Sequence, residues 1–395
     1  MPSLRADRRR AKQSYGFRGV AASLTLLAMT FVSCQTNLFP AVGSGVSAPI
    51  AVAMDTVNNR AYLINSNLRL EFADNTLMVL DTTAPASPIL VNTVTVPNFS
   101  GQPYLDVANR KIYLPVRESD NRIDTTDALY QIDVNEAGGS FLGITPYDAG
   151  SNPFGTVCCD SSSRFFVITY GGELLRFDPA NLASETSLNF DVTLSTGENI
   201  QGIGATEAAI IGDQAFVTTR AGEIFVTNLT ELGAGSNAVD YVIHSSQDLR
   251  GIATNGTLLY VVNGTAGSEA LLVIDPATLT ASAAATTTEV AIDTVTKTTI
   301  TLASGTNPNE VVYFATLNEL YVSQTSADTV AVIDAAAETL TTSITLSTGS
   351  FTSDEPFGLN TLTSGGTDYL YVTNLRSDNV SIINLSTRAV VATYP

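Results

Sequence analysis

The sequence predicts an all-β fold, a seven-bladed β-propeller whose blades are four-stranded antiparallel sheets. An aromatic residue opens a short β-rich run seven times, at intervals of 44 to 61 residues, and a second apolar run follows each one and ends in Asp or Asn. Repeats of this length that cannot bury both faces alone are typical of propeller blades. The aromatic residues are Tyr62, Tyr113, Phe166, Phe216, Tyr260, Tyr321 and Tyr371, and the closing residues are Asp81, Asp133, Asp178, Asn228, Asp275, Asp334 and Asn384.

Each repeat reads as four strands in order. The first strand often carries glycine, at Gly155, Gly202, Gly251 and Gly358, and we expect it to be innermost, where the strands crowd around the central channel. The aromatic strand is second, and the run that ends in Asp or Asn is third, because such side chains suit the turn that follows. A Thr-rich segment such as residues 341–346 is the fourth.

The last repeat carries a sequence signature, LYVTN, at residues 370–374, and similar runs stand at 320–324 and 259–263. In these runs the chain resembles the YVTN-repeat β-propeller family of bacterial and archaeal envelope proteins. The resemblance covers residues 48–395 and is strongest in the last three repeats. It implies the propeller fold but no particular function, because propellers host many unrelated activities. The last repeat completes its own outer strand at 389–394, so we expect the ring to close by packing between the first and last blades.

The first residues have the pattern of a secretion signal. Residues 1–18 carry six basic side chains and one acidic one, and an uncharged apolar stretch of 15 residues follows, which is too short for a transmembrane helix. The stretch ends at Phe31-Val32-Ser33-Cys34, which resembles the bacterial lipobox, so Cys34 is expected to be acylated. The alternative is an ordinary signal peptide with a chance cysteine.

These motifs divide the chain into a signal peptide (1–33), a lipidated N-terminus and tether (34–47) and the propeller (48–395). They predict an exported protein that is anchored in the cell envelope by its lipid. Gln35 stands where an aspartate would favour retention in the inner membrane, so the outer membrane or the cell surface is the expected location.

Composition excludes one class of partner. Loss of residues 1–33 would change the net charge from −19 to −24, and only Lys111 and Lys297 would remain as lysines. Such a surface repels polyanions, so nucleic-acid binding is not expected. We expect a monomer that contacts the membrane only through its anchor and binds an envelope protein or a glycan.

Loop lengths indicate a working face. The loops between the second and third strands should share a face with the segments that enter the first strands. These loops are longer in the first two blades, at 66–76 and 117–127, and the two long loops should meet because their blades are adjacent. The link at 289–309 should open on the same side. Four first-strand residues near the channel mouth are candidate ligand contacts: Phe154, Gln201, Arg250 and Phe357. The alternative is that these side chains only pack around the axis of the propeller.

The second long loop carries oxygen ligands of the kind that Ca²⁺ prefers, although it has no standard calcium-loop pattern. The alternative is a solvated acidic hairpin tip. No cofactor other than Ca²⁺ is expected. The candidate ligands are Glu118, Asp120, Asn121, Asp124 and Asp127.

Cys158 and Cys159 are neighbours in the chain. A bridge between them is awkward, because adjacent Cα atoms are about 3.8 Å apart across a trans peptide. An oxidising envelope nevertheless disfavours free thiols. Two alternatives remain for this pair: a vicinal disulfide, or two reduced cysteines that pack as small buried side chains.

No catalytic constellation is apparent. His244 is the single histidine, no Trp is present, and no Gly-x-Ser-x-Gly occurs, so a serine hydrolase, a Cys/His zinc site and a haem protein all lack their residues. We therefore favour a binding scaffold, with no catalytic residue identified. The alternative is a hydrolase or oxidoreductase, such as a lactonase-like enzyme, that uses the channel mouth with Arg250 orienting an anionic substrate.

Overall fold

The computed structural model confirms the seven-bladed all-β propeller and its four-stranded antiparallel blades. The predicted signal peptide, Cys34 and most of the predicted tether lie outside the described residues. The structure describes residues 43–69, 71–72, 74–97, 99–117, 127–182, 184–194, 196–235, 239–279, 287–347 and 353–395.

Blades 1 to 4 follow each other along the chain, and their strands pair in sequence order. Blade 1 consists of β1 Pro49–Asp55, β2 Arg60–Asn65, β3 Asn75–Asp81 and β4 Ile89–Val96. Blade 2 consists of β5 Tyr104–Asp106, β6 Lys111–Val116, β7 Ala128–Asp133 and β8 Ile144–Tyr147. Blade 3 consists of β9 Pro153–Cys158, β10 Phe165–Thr169, β11 Glu173–Phe177 and β12 Ser184–Asn189. A hairpin of β13 Val192–Thr193 and β14 Asn199–Ile200 precedes blade 4, which consists of β15 Ala205–Ile211, β16 Gln214–Thr219, β17 Glu223–Asn228 and β18 Val239–His244.

Blades 5 to 7 complete the ring. Blade 5 consists of β19 Leu249–Thr254, β20 Leu259–Asn263, β21 Ala270–Ile274 and β23 Thr296–Thr301. Blade 6 consists of β24 Pro308–Phe314, β25 Glu319–Gln324, β26 Thr329–Asp334 and β27 Thr339–Thr345. Blade 7 consists of β28 Pro356–Ser364, β29 Thr367–Asn374, β30 Asn379–Asn384 and β31 Ala389–Tyr394. The described helices are short: α1 Leu229–Gly233, a 3-10 turn Pro276–Thr278 and α2 Ile292–Val295.

The first strands of the blades form a closed inner ring. Each contacts the first strand of the next blade, and β28 of blade 7 contacts β1 of blade 1. Hydrogen bonds tie the first and last blades. They include Asn360 Nδ2 to the Val52 carbonyl (2.9 Å), the Tyr371 hydroxyl to the Pro85 carbonyl (2.7 Å), and the Ala48 amide to Asp378 Oδ1 (2.7 Å). The ring therefore closes by packing between blades, since all four strands of blade 7 come from the C-terminal repeat.

The core lies between adjacent blades. The seven aromatic residues of the repeat are all buried, with at most 1% of each exposed. Phe166 of blade 3 packs in one cluster with Val217 and Phe225 of blade 4, and Tyr371 of blade 7 packs with Leu63 of blade 1. Burial of such a side chain contributes about 2 kcal/mol, so the repeated aromatic residue stabilises each contact between blades.

Three of the four predicted glycines lie in inner strands, where they allow close approach of the next blade. A Cβ on Gly155, Gly251 or Gly358 would overlap backbone of the following blade. The fourth prediction is wrong, because Gly202 lies outside the strands, in the turn before β15. An added Cβ there would overlap the Phe190 side chain, so the glycine serves the packing of the β13–β14 hairpin.

The prediction for the link at 289–309 is also wrong. Residues 288–291 form β22 Thr288–Ala291, which pairs in parallel with β18 at the outer edge of blade 4, and β23 is the fourth strand of blade 5. Only residues 302–307 join blades 5 and 6. The long segment sits at the outer edge because Ile292 and Val295 bury their side chains in the cluster between blades 4 and 5. Among the described residues, no helix has the length and apolar character needed to span a bilayer.

Candidate functional site: the channel mouth

The inner strands all begin at the same end of the channel. In blades 1, 3 and 4 the first residue of the inner strand pairs with the last residue of the second strand, as Pro49 does with Asn65. The loops between second and third strands therefore share a face with the segments that enter the inner strands, as the sequence predicted. We call this the mouth face.

Three of the predicted contacts occupy equivalent places on this face. Phe154, Arg250 and Phe357 are each the second residue of an inner strand, partly exposed, and each precedes one of the glycines that approach the next blade. Gln201 does not join them, because it lies in the exposed turn between β14 and β15. The equivalent position in blade 4 is Thr206.

Arg117 adds a cation to the aromatic side of the mouth. Its guanidinium carbon lies 5.4 Å from the centre of the Phe99 ring and 5.8 Å from that of Phe154. Such cation–π contacts contribute about 0.5–1 kcal/mol each at exposed sites. The Phe99 amide donates to the Ser66 carbonyl, and the Arg117 amide to the Phe99 carbonyl, so Phe99 connects the bases of the two long loops. Whether the loops meet further out lies outside the described residues.

The Arg250 guanidinium is engaged on all sides by protein groups. Nε and Nη2 donate to Asp248 Oδ2 (2.9 and 2.6 Å), and Nη1 donates to Asn307 Oδ1 (2.7 Å) and the Pro308 carbonyl (2.8 Å). Arg220 also pairs with Asp248. Burial of Asp248 opposes its ionisation, but hydrogen bonds from the two arginines hold the pKa of this carboxyl below its usual value. Arg250 therefore fixes the entry of the neighbouring inner strand.

The channel floor consists of three polar side chains that are not among the contacts predicted from the sequence. Gln102 Nε2 donates to Glu207 Oε1 (3.2 Å) and to Glu310 Oε2 (2.6 Å), and the Ile252 amide donates to Glu207 Oε2 (3.2 Å). Glu310 is buried, and Glu207 is partly buried. Only the strand register of the structure reveals them, because it shows that they stand where other blades have Gly or Ala.

One of the predicted calcium ligands, Asp127, is among the described residues, and it lies immediately before β7. Glu118, Asp120, Asn121 and Asp124 lie outside the described residues. Among the residues that the structure describes, no group of three or more His, Cys, Asp or Glu side chains is placed to hold a metal ion.

The two adjacent cysteines lie at the opposite end of β9 from the mouth. Cys158 and Cys159 are joined by a disulfide across a cis peptide bond. They are partly buried against an aromatic cluster, and Cys159 Sγ lies 3.8 Å from the Tyr104 hydroxyl. The bridge therefore belongs to the packing between blades 2 and 3 and not to the mouth face.

A cavity of about 200 Å³ opens between blades 3 and 4, also away from the mouth. Asp160, Ser161, Arg176, Asp213 and Thr230 contribute to its lining. Arg176 is buried, and its Nε and Nη2 both lie 2.9 Å from Asp160 Oδ2. The charged groups at the bottom of the cavity thus satisfy each other.

Comparisons with known proteins support the fold alone. No known family model and no curated protein matches the chain. Among solved structures, hydrazine synthase from Kuenenia stuttgartiensis matches with 13% identity and a TM-score of 0.63, over 89% of this chain and 98% of that chain. The WD40 β-propeller domain of Doa1 matches with 10% identity and a TM-score of 0.58, over 86% and 97%. The β-propeller domain of Cps50 (Swd1) from Myceliophteria thermophila matches with 10% identity and a TM-score of 0.57, over 86% and 98%.

Proposed function

We propose that the chain is an exported, lipid-anchored propeller of the bacterial cell envelope that works as a scaffold and binds another envelope protein through its mouth face. The observation that carries the binding proposal is the chemistry of that face above blades 2 to 4. Tyr170 is 38% exposed and Ile203 is 54% exposed, and they flank the Arg117 and Phe154 contact. Tyrosine, other aromatic residues and arginine are the side chains that dominate protein interfaces.

Backbone contacts place these side chains on neighbouring segments. The Tyr170 amide donates to the Asn152 carbonyl, two residues before Phe154, and the Gly204 amide donates to the Tyr170 carbonyl beside Ile203. The exposed apolar side chains therefore stand on a hydrogen-bonded scaffold and not on separate loops. A rigid patch of this kind loses little conformational entropy on binding.

The envelope location and membership of the YVTN-repeat family are parts of the same proposal. They rest on the basic N-terminal segment, on the apolar stretch that ends at Cys34, and on the runs LYVTN, LYVSQ and LYVVN. The enzyme alternative required Arg250 to hold an anionic substrate. Because that guanidinium is bound to Asp248, Asn307 and Pro308, nothing in the described site favours it.

Replacing Cys34 by Ser tests the anchor. We expect the wild-type chain in the membrane fraction and the variant in the soluble fraction of the envelope, because serine lacks the thiol through which the lipid would be attached. Mass spectrometry of the N-terminal peptide should show an acylated Cys34 in the wild type. A variant that remains in the membrane fraction would show that the anchor is assigned wrongly.

Replacing Ile203 by Asp tests the mouth face. The substitution places a charge in the centre of the proposed interface, and we expect affinity for the protein partner captured from solubilised envelopes to fall at least about 10-fold. Val57→Asp is the matched control, because Val57 is 74% exposed on the opposite face. Equal loss in both variants, no loss in either, or binding of isolated glycans alone would contradict the proposal.

A further inference from the structure

We propose that Glu207 and Glu310 share one proton across the channel and, together with Gln102, form a latch that closes the channel floor and is released when that proton is lost. The three side chains come from blades 4, 6 and 2, which are not neighbours in the ring. Their hydrogen bonds therefore connect blades that are not adjacent in the ring.

The strand register explains how three long side chains meet in a crowded channel. Each stands two residues after the first paired residue of its inner segment, which is Ser100 in blade 2, Ala205 in blade 4 and Pro308 in blade 6. The same position in blades 1, 3, 5 and 7 is held by Ala51, Gly155, Gly251 and Gly358. Small residues on four blades leave the central space that the other three side chains fill.

Gln102 holds the two carboxyl groups close together. Its Nε2 donates both to Glu207 Oε1 (3.2 Å) and to Glu310 Oε2 (2.6 Å), so these two oxygens lie within about 6 Å of each other. Two ionised carboxylates repel each other and can only accept hydrogen bonds. A proton on one carboxyl group therefore removes the repulsion and gives the pair a donor.

The electrostatics agree with the geometry. Burial and then the adjacent Glu207 charge raise the pKa of Glu310 well above the usual 4.5. Burial also raises the pKa of Glu207, although hydrogen bonds from Glu310 and the Ile252 amide partly offset this. Like charges held this close in a desolvated site cannot both ionise at low cost.

Within the part of the chain that the structure describes, neither Glu207 nor Glu310 forms an ion pair with a lysine or an arginine. Among the described strands that pack most closely on β15 and β24, charged side chains come from Arg250 in β19 and Glu319 in β25. Arg250 binds Asp248, and Glu319 pairs with Arg388. The other titratable groups on β24 and on these strands are the phenols of Tyr313, Tyr260 and Tyr321 and Cys158, which is held in the disulfide.

The direction of the pH effect follows from the raised pKa. The native state holds the proton more tightly than the unfolded chain, so the stabilisation is complete below about pH 4.5 and is lost as the pH rises through the native pKa of the pair. As the pH rises from about 5 to about 9, we expect the loss of this proton to lower the melting temperature Tm of the full wild-type chain. Glu310→Gln keeps a donor and removes the titration, so its Tm should fall by less than half as much.

Glu198→Gln is the matched control, because Glu198 is exposed and outside the channel, and it should keep the wild-type pH dependence. Glu310→Gln with an unchanged pH dependence would overturn the latch. Infrared spectroscopy of the wild type decides the case even if the variant does not fold. A carbonyl band from a protonated carboxylic acid should persist at neutral pH, and its absence would also overturn the proposal.

Discussion

Gly358 lies where β28 of the last blade passes closest to β1 of the first. A Cβ at this position would overlap the carbonyl oxygen of Ile50 and approach its carbonyl carbon to 3.0 Å. Both atoms belong to the backbone of an inner strand, so they cannot move aside as a flexible side chain could. Because Gly358 has a hydrogen atom where alanine has a methyl group, β28 and β1 can make the contact that closes the ring.

Gly358→Ala is therefore expected to destabilise the protein by about 3 kcal/mol, as overpacking does where neighbours cannot relax. Chemical unfolding monitored by circular dichroism measures the change. Gly139→Ala is the matched control, because Gly139 is exposed and nothing lies within 4 Å of an added Cβ. Equal unfolding midpoints for the two variants would show that the inner strands do not approach as closely as described.

Residue types that serve the fold could be predicted from the sequence, while the channel floor could not. The buried aromatic residues recur at nearly regular intervals, so their pattern stands out without coordinates. The sequences around Glu207 and Glu310 share no pattern, since one is Thr206-Glu207-Ala208 and the other is Asn309-Glu310-Val311. Only the register of their strands shows that they occupy equivalent positions and face each other across the channel.

Strands β22 and β23 show the limit of prediction at the scale of elements. Both are short and contain threonine and β-branched residues, so local propensity does not distinguish a fourth strand of blade 5 from an addition to blade 4. The parallel pairing of β22 with β18 depends on Ile292 and Val295 reaching a cluster that two blades build together. Such a long-range contact is invisible in a single repeat.

The β13–β14 hairpin is a second element that the repeat pattern did not predict. Its insertion before blade 4 moves Gln201 and Gly202 out of the inner strand and leaves Thr206 at the mouth position. The glycine and the polar residue before it were predicted to lie in the inner strand, but they form a turn in which Gly202 packs on Phe190. Repeat spacing predicts that a blade exists more securely than it predicts where its first strand begins.

At the scale of the whole molecule, the fold depends on a closed ring. The chain carries a net charge of −19, so repulsion between acidic blades must be outweighed by the buried contacts between them. Closure brings together residues more than 300 positions apart, as in the ion pair of Arg69 with Asp378. The mouth face and the channel floor exist only if this contact forms.

Zero-length carbodiimide cross-linking of the Arg69→Lys variant tests that closure most directly. The side chains of Arg69 and Asp378 are 35% and 36% exposed, so the reagent can reach the introduced amine and its partner carboxylate. We predict a cross-linked peptide that joins positions 69 and 378 and disappears when Asp378→Asn is added. Absence of this peptide in a sample where the native Lys297 and Glu338 do cross-link would contradict the closed seven-bladed ring.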